Sequence, residues 1–234
     1  MDSGSSGSEE GEHEFKVAIL GNGAVGKTSL IKRYCENDFA QNYKQTIGLD
    51  FYSKKVKLGD GSLVTLRIWD IGGQQIGGSM IANYIHGADA VCFVYDVTNP
   101  DSFKDVEDWH RCVLTSLQQS KEEEKPPQPL MVLVGNKTDL PNRQVTSGMH
   151  ERAAAANHMD AFLISARSGE RIHALFTQIA ARLCGADVSR QELDMRDCVV
   201  ANVESRPEER VSVFHATQEE RQGRAEKKED CRVM

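Results

Sequence analysis

The sequence predicts an α/β domain, a mostly parallel six-stranded sheet with one antiparallel edge pair and helices on both faces. Three observations predict it. Short apolar runs that read as buried strands alternate with stretches of helical periodicity. A Gly59-Asp60-Gly61 spacer joins two alternating segments and marks a single hairpin. A glycine-rich loop links the first apolar run to the first helical stretch, and such sheets bind ligands at the carboxyl ends of their strands.

Residues 1–14, MDSGSSGSEEGEHE, hold almost nothing apolar and are expected to form a disordered acidic tail. From Phe15 the run FKVAIL fits a buried strand, and TSLIKRYCENDF beyond the glycine loop is expected to be helical. DFYSKKVKL and LVTLRIWD are the hairpin strands. ADAVCFVYD and LMVLVGNK each close an apolar run with polar residues, and an amphipathic helix from Ser102 to Gln119 lies between them. KEEEKPPQP is a solvated loop by composition. A helix near Met149–His158, a strand near Ala161–Ile164 and a helix from Glu170 to Cys184 complete a domain over residues 15–185. Residues 186–234 are expected to be a flexible tail with a short amphipathic segment near Val211–Phe214.

The composition suits one globular domain with tails: 234 residues, 39% hydrophobic and 27% charged. The net charge of -7 sits at the ends, where residues 1–14 carry acids but no Lys or Arg and residues 186–234 are acid-rich. The middle is close to neutral. This excludes the basic face or stripe that a nucleic-acid binder needs. Six cysteines without CxxC spacing and no apolar leader read as reduced thiols of a cytosolic protein.

Gly21-Asn22-Gly23-Ala24-Val25-Gly26-Lys27-Thr28 matches G-x-x-x-x-G-K-[ST] between a predicted strand and a predicted helix. Glycines there let backbone N–H groups and a helix N-terminus point at a polyphosphate. Lys27 would add a positive charge near the β and γ phosphates, and the Thr28 hydroxyl would ligate magnesium.

A P-loop alone does not name the base, since ATPases and small-molecule kinases share it. Asn136-Lys137-Thr138-Asp139 narrows the choice. A carboxylate at the end of an apolar strand can accept two hydrogen bonds from guanine's N1–H and exocyclic amine. Adenine lacks that paired donor edge and would leave a buried carboxylate unpaired. Ser165-Ala166-Arg167 follows the last short strand and could close over the base.

Together these motifs resemble the Ras superfamily of small GTPases over about Phe15 to Cys184. Gln45-Thr46-Ile47-Gly48, Asp50-Phe51 and Trp69-Asp70 resemble its Rab family, whose members direct vesicle traffic. The resemblance implies a P-loop NTPase G domain. It also implies GTP or GDP held by Gly21, Gly23, Ala24, Val25, Gly26, Lys27, Thr28 and Ser29. Tyr43 would be a further nucleotide contact and Phe39 would lie against the guanine, with Asn136, Lys137, Asp139, Ser165, Ala166 and Arg167 forming the base site. Magnesium (Mg2+) would be held by Thr28, Thr46 and Asp70, the last through water. Gly73 would donate its N–H to the γ-phosphate and Gln74 would orient the attacking water.

What the resemblance implies about partners follows: exchange factor, GTPase-activating protein, effectors and a prenyl-binding chaperone, around a monomer at the cytosolic face of plasma or endosomal membranes. Slow hydrolysis is expected without a partner's arginine finger, which is worth about 10³ to 10⁵ in rate. Three departures from the Rab pattern stand out. Switch II reads WDIGGQQ, where most Rabs have WDTAGQE, and Ile76-Gly77-Gly78 follows. Arg167 replaces a commoner lysine. The chain ends Cys231-Arg232-Val233-Met234, a CaaX-type ending that favours farnesylation of Cys231. These features look most like the divergent Rab twenty-eight group. A permanently loaded GTP-binding scaffold is the competing expectation, suggested by the switch II glycines. A P-loop metabolite kinase is weaker, since such an enzyme has no use for Asn136-Lys137-Thr138-Asp139.

Overall fold

Six strands form one sheet in the order β2-β3-β1-β4-β5-β6. They are β1 (His13–Leu20), β2 (Leu49–Lys57), β3 (Leu63–Ile71), β4 (Ala90–Asp96), β5 (Leu130–Asn136) and β6 (Asp160–Leu163). The helices are α1 (Lys27–Glu36), α2 (Met80–Ile85), α3 (Pro100–Gln118), α4 (Ser147–Ala156) and α5 (Ile172–Cys184). This computed structural model describes residues 13–39, 44–73, 80–118, 127–189 and 193. Only β2 and β3 pair antiparallel, with Leu49 opposite Ile71 and Lys57 opposite Leu63. Every other neighbouring pair is parallel, as the alternation of strand and helix implies.

Alternation along β1 divides the core. Val17 and Ile19 join Leu30, Tyr34 and Phe176 on the side of α1 and α5. Ala18 and Leu20 join Ile81, Trp109 and Ala154 on the side of α2, α3 and α4. With a layer on each face, central β4 is buried along its whole length. Trp109, Tyr95, Phe93 and Phe176 are the largest fully buried side chains, and truncating such an aromatic to alanine costs about 3–5 kcal/mol.

Local chemistry sets the element ends, and several differ from expectation. The first helix stops at Glu36 rather than Phe39 because Asn37 turns left-handed at φ 52° and caps it. α3 starts at Pro100, before Ser102, because the Asn99 carboxamide accepts from the N–H groups of Asp101 (3.0 Å) and Ser102 (3.3 Å). Proline suits a first helical position, which needs no donor. α4 begins at Ser147 because Thr146 caps it, accepting from Met149 N–H at 3.3 Å. The short α2 was not legible in its glycine-flanked sequence. The hairpin is as expected, closed by Leu58 N–H on Ser62 O at 2.9 Å with Gly61 at φ 96°.

Gly185 ends α5 at φ 69°, and Ala186 and Val188 beyond it pack against the α1/α5 core. Those first residues after the domain boundary are therefore held against the core. The acidic N-terminal residues 1–12 and nearly all of the expected tail lie outside the described residues.

Candidate functional site

Most of the expected site residues that are described lie at the carboxyl ends of β1, β3, β5 and β6, with Phe39 and Thr46 in the segment between α1 and β2. The loop from Gly21 to Gly26 curls between β1 and α1 with little space to spare. A Cβ on Gly21 (φ 138°) would lie 2.1 Å from Val94 O, and one on Gly26 (φ 98°) would lie 2.4 Å from Asn136 Nδ2. Ala24 is also left-handed, at φ 63°. Gly23 and Ala24 are exposed, Val25 is buried, and Ser29 is half-buried in the first turn of α1. The N-cap of α1 is Gly26, which has no side chain to bond the first N–H groups, and N–H groups so placed suit an anion.

Lys27 is buried at 6% exposure, and its ammonium donates to Gly21 O (2.7 Å) and Asn22 O (2.8 Å). Burial lowers its pKa to about 8, opposed in part by the Asp70 carboxylate. Beside it the three expected magnesium ligands converge. The Thr28 hydroxyl donates to Asp70 Oδ2 at 2.5 Å and lies 2.8 Å from the Thr46 hydroxyl, which is 3.5 Å from the same carboxylate oxygen. Asp70 has no exposed surface, and its Oδ1 is without a hydrogen-bond partner among the described residues. Burial raises the Asp70 pKa although Thr28 and Lys27 pull the other way. Two hydroxyls and a carboxylate with an orphaned oxygen are a hard oxygen donor set, the kind that magnesium takes. The residues fit the ion.

Switch II meets the phosphate loop at Gly73, where a Cβ would lie 2.3 Å from both Asn22 C and Gly23 N. Gly72 donates its N–H to Gly48 O at 3.0 Å, carrying the β2–β3 pairing one residue further. Tyr43, Gln74 and Cys231 lie outside the described residues, as do residues 76–78.

The base end is braced through Asn136, which is 1% exposed. Its amide donates to Val25 O at 2.9 Å, while its Oδ1 accepts from the N–H groups of Lys137 (2.8 Å) and Ala166 (3.0 Å). One side chain thus joins three loops, and each of its polar atoms is used. Lys137, left-handed at φ 70°, reaches Ala24 O at 2.9 Å and the Asp96 carboxylate at 2.6 Å. Burial pushes the Asp96 carboxyl up, but bonds from Lys137 and Thr98 outweigh it and leave its pKa lowered. Asp139 Oδ1 accepts from the Ser165 hydroxyl at 2.6 Å, and the Arg167 guanidinium stands 3.9 Å from Oδ2. Arg167 therefore faces the carboxylate expected to read the base.

Two contributors escaped the sequence reading. Arg33 donates to Ala166 O (3.1 Å) and Arg167 O (2.7 Å), and its guanidinium lies 5.7 Å from the centre of the Phe39 ring. Nothing in the sequence ties an α1 arginine to a loop 133 positions away. Asp96 did carry a signal, as an acid closing the apolar run of β4 at the same sheet edge.

The chain is similar to known proteins. The sequence model of the Ras family matches residues 16–184. The chain is 39% identical over 181 residues to the Ras-related protein Rab-28 of Caenorhabditis elegans, an alignment covering 77% of this chain and 71% of that protein.

Proposed function

The chain belongs to the Ras family of small GTPases, in its Rab branch, and we propose that it recruits effectors to membranes of vesicle traffic while loaded with GTP. The convergence of Thr28, Thr46 and Asp70 beside Lys27 carries this reading, because it joins both switch segments to the phosphate loop at one point.

In this reading Lys27 and the N–H groups around Gly21 to Ser29 cradle the phosphates. Thr28, Thr46 and Asp70 would hold magnesium, which when bound would neutralise charge on the β and γ phosphates. Asp139 selects guanine, with Asn136 and Ser165 fixing the loops beside it and Phe39 closing the other side. Gln74 orients a water for in-line attack on the γ-phosphorus. The bond from that phosphorus to the bridging oxygen breaks, leaving GDP and inorganic phosphate. Loss of the γ-phosphate frees Thr46 and Gly73, and the change in both switches is what partners sense. Unaided turnover is slow in this scheme, and a partner's arginine finger speeds it.

Membrane attachment rests on Cys231 and its CaaX-type ending. Among the described residues no helix is long and apolar enough to cross a bilayer. One prenyl chain binds weakly and reversibly, so the protein would cycle between cytosol and endosomal or plasma membranes with a lipid-shielding chaperone.

The test is single-turnover GTP hydrolysis by the purified full-length protein with magnesium, beside Gln74→Leu and Asp139→Asn. The reading expects bound guanine nucleotide, slow turnover that stalls in Gln74→Leu, and lost guanine preference in Asp139→Asn. Turnover untouched by Gln74→Leu removes the hydrolytic role and favours the permanently loaded scaffold suggested by Gly77 and Gly78.

A further inference from the structure

The P-loop side chain of Asn22 is held from outside the nucleotide site. Its Nδ2 donates to the Asp105 carboxylate at 2.5 Å, and its Oδ1 accepts from Trp109 Nε1 at 2.8 Å. Both partners belong to α3. Trp109 is 1% exposed and cannot shift without opening the core around it. The carboxamide is therefore read in one orientation, with the donor end toward Asp105 and the acceptor end toward Trp109. Neither partner can exchange roles, because a carboxylate only accepts and an indole N–H only donates.

The main chain of the same residue is where three parts of the site meet. Asn22 O accepts from the Lys27 ammonium at 2.8 Å, and Gly73 of switch II rests on the peptide between Asn22 and Gly23, closely enough to exclude a Cβ. A rotation of that peptide would move the Lys27 acceptor and the Gly73 seat together. Nothing in the nucleotide chemistry requires the side chain of Asn22.

We propose that Asn22 is a positioning residue for GTP hydrolysis, whose carboxamide, clamped by Asp105 and Trp109, sets the peptide on which Lys27 and Gly73 depend. It rests on the GTPase reading of the site. The clamp also makes α3 a lever on the phosphate loop, since a partner that moved α3 would move this peptide.

The pattern of donors and acceptors supplies the test. Asn22→Asp sets two carboxylates against each other and breaks the clamp. Asp105→Asn alone preserves it, because a carboxamide oxygen can still accept from Asn22. In the double variant the carboxamide introduced at position 105 donates to the carboxylate introduced at position 22, and the clamp re-forms with polarity reversed. The experiment measures single-turnover hydrolysis, magnesium-dependent GDP release and thermal unfolding for all four proteins. Expected is a loss of about tenfold in hydrolysis for Asn22→Asp, near wild-type behaviour for Asp105→Asn, and recovery to within about threefold in the double variant. A role in stability alone would shift the unfolding temperature and leave the rate of the folded protein unchanged. Full hydrolysis by Asn22→Asp, or a double variant as slow as the single, overturns the clamp while the wild type still turns over. A wild type that neither binds nor hydrolyses GTP overturns the functional reading and the clamp with it.

Discussion

The Thr28 hydroxyl donates to one oxygen of the Asp70 carboxylate, and the other oxygen is buried with no partner among the described residues. A lone buried acceptor is costly, by about 1–3 kcal/mol for an ordinary polar group and more for a charged one. A cation shell would remove that cost, so the site suits the magnesium ion of the proposed function.

Asp70→Asn should weaken magnesium-dependent retention of GDP by about 10- to 100-fold, the usual effect of disturbing groups that orient a metal shell. In excess chelator the variant and the wild type should release GDP at similar rates. Release measured with a fluorescent GDP analogue across magnesium concentrations checks this, and an unchanged magnesium midpoint would sink the assignment of Asp70.

Lys27 makes nucleotide binding sensitive to pH on the alkaline side. Its pKa falls from an ordinary 10.5 to about 8, chiefly through burial. Between these values the unfolded chain binds more protons than the folded one. The contribution of Lys27 to stability therefore rises with pH through that window, since the buried ammonium is a liability below it. Phosphates favour the charged form, so binding takes up a proton above about pH 8. GDP affinity should fall there by up to about tenfold per pH unit, and Lys27→Met should bind weakly with no such slope. Titration calorimetry in two buffers of different ionisation enthalpy reads the proton directly.

Arg33 braces the loop that carries Ala166 and Arg167. Arg33→Ala removes two charge-assisted hydrogen bonds to the carbonyls of Ala166 and Arg167, together with the cation near Phe39. GDP release should quicken about tenfold. Arg33→Lys should recover only part of this, because an ammonium lacks the planar fork. Stopped-flow release with equal unfolding temperatures would separate this effect from general loosening, and release unchanged in Arg33→Ala would refute it.

Gly72 lets the two switch segments touch. A Cβ there would stand 2.8 Å from Thr46 O and 3.2 Å from Gly48 O, both backbone atoms, so a methyl group enters only if this contact opens. Gly72→Ala restores the residue commoner in Rabs and should push Thr46 away from Thr28. Amide exchange over residues 46–48 should speed up in the GTP-loaded variant, with a weaker magnesium dependence. Exchange rates equal to the wild type would mean that the loop accommodates the methyl group.

The alternation of strand and helix and the hairpin were legible in the sequence, as were the motifs expected to hold phosphate and guanine, because each is local. Period, glycine spacing and the chemistry of a short motif need no knowledge of distant residues. Helix ends were misread where one residue decided them, as at Asn37 and Asn99, since a cap depends on a backbone turn that periodicity does not register.

What belonged to the tertiary structure alone is the set of braces between loops far apart in the chain. Asn136 holds Val25 and Ala166, Arg33 holds the Arg167 carbonyl, and α3 holds Asn22. The sequence alone determined the local elements and the kinds of group at the proposed phosphate and base sites. Parallel connections bring strand ends together across the sheet, so only the folded chain decides which side chains fix those groups in place.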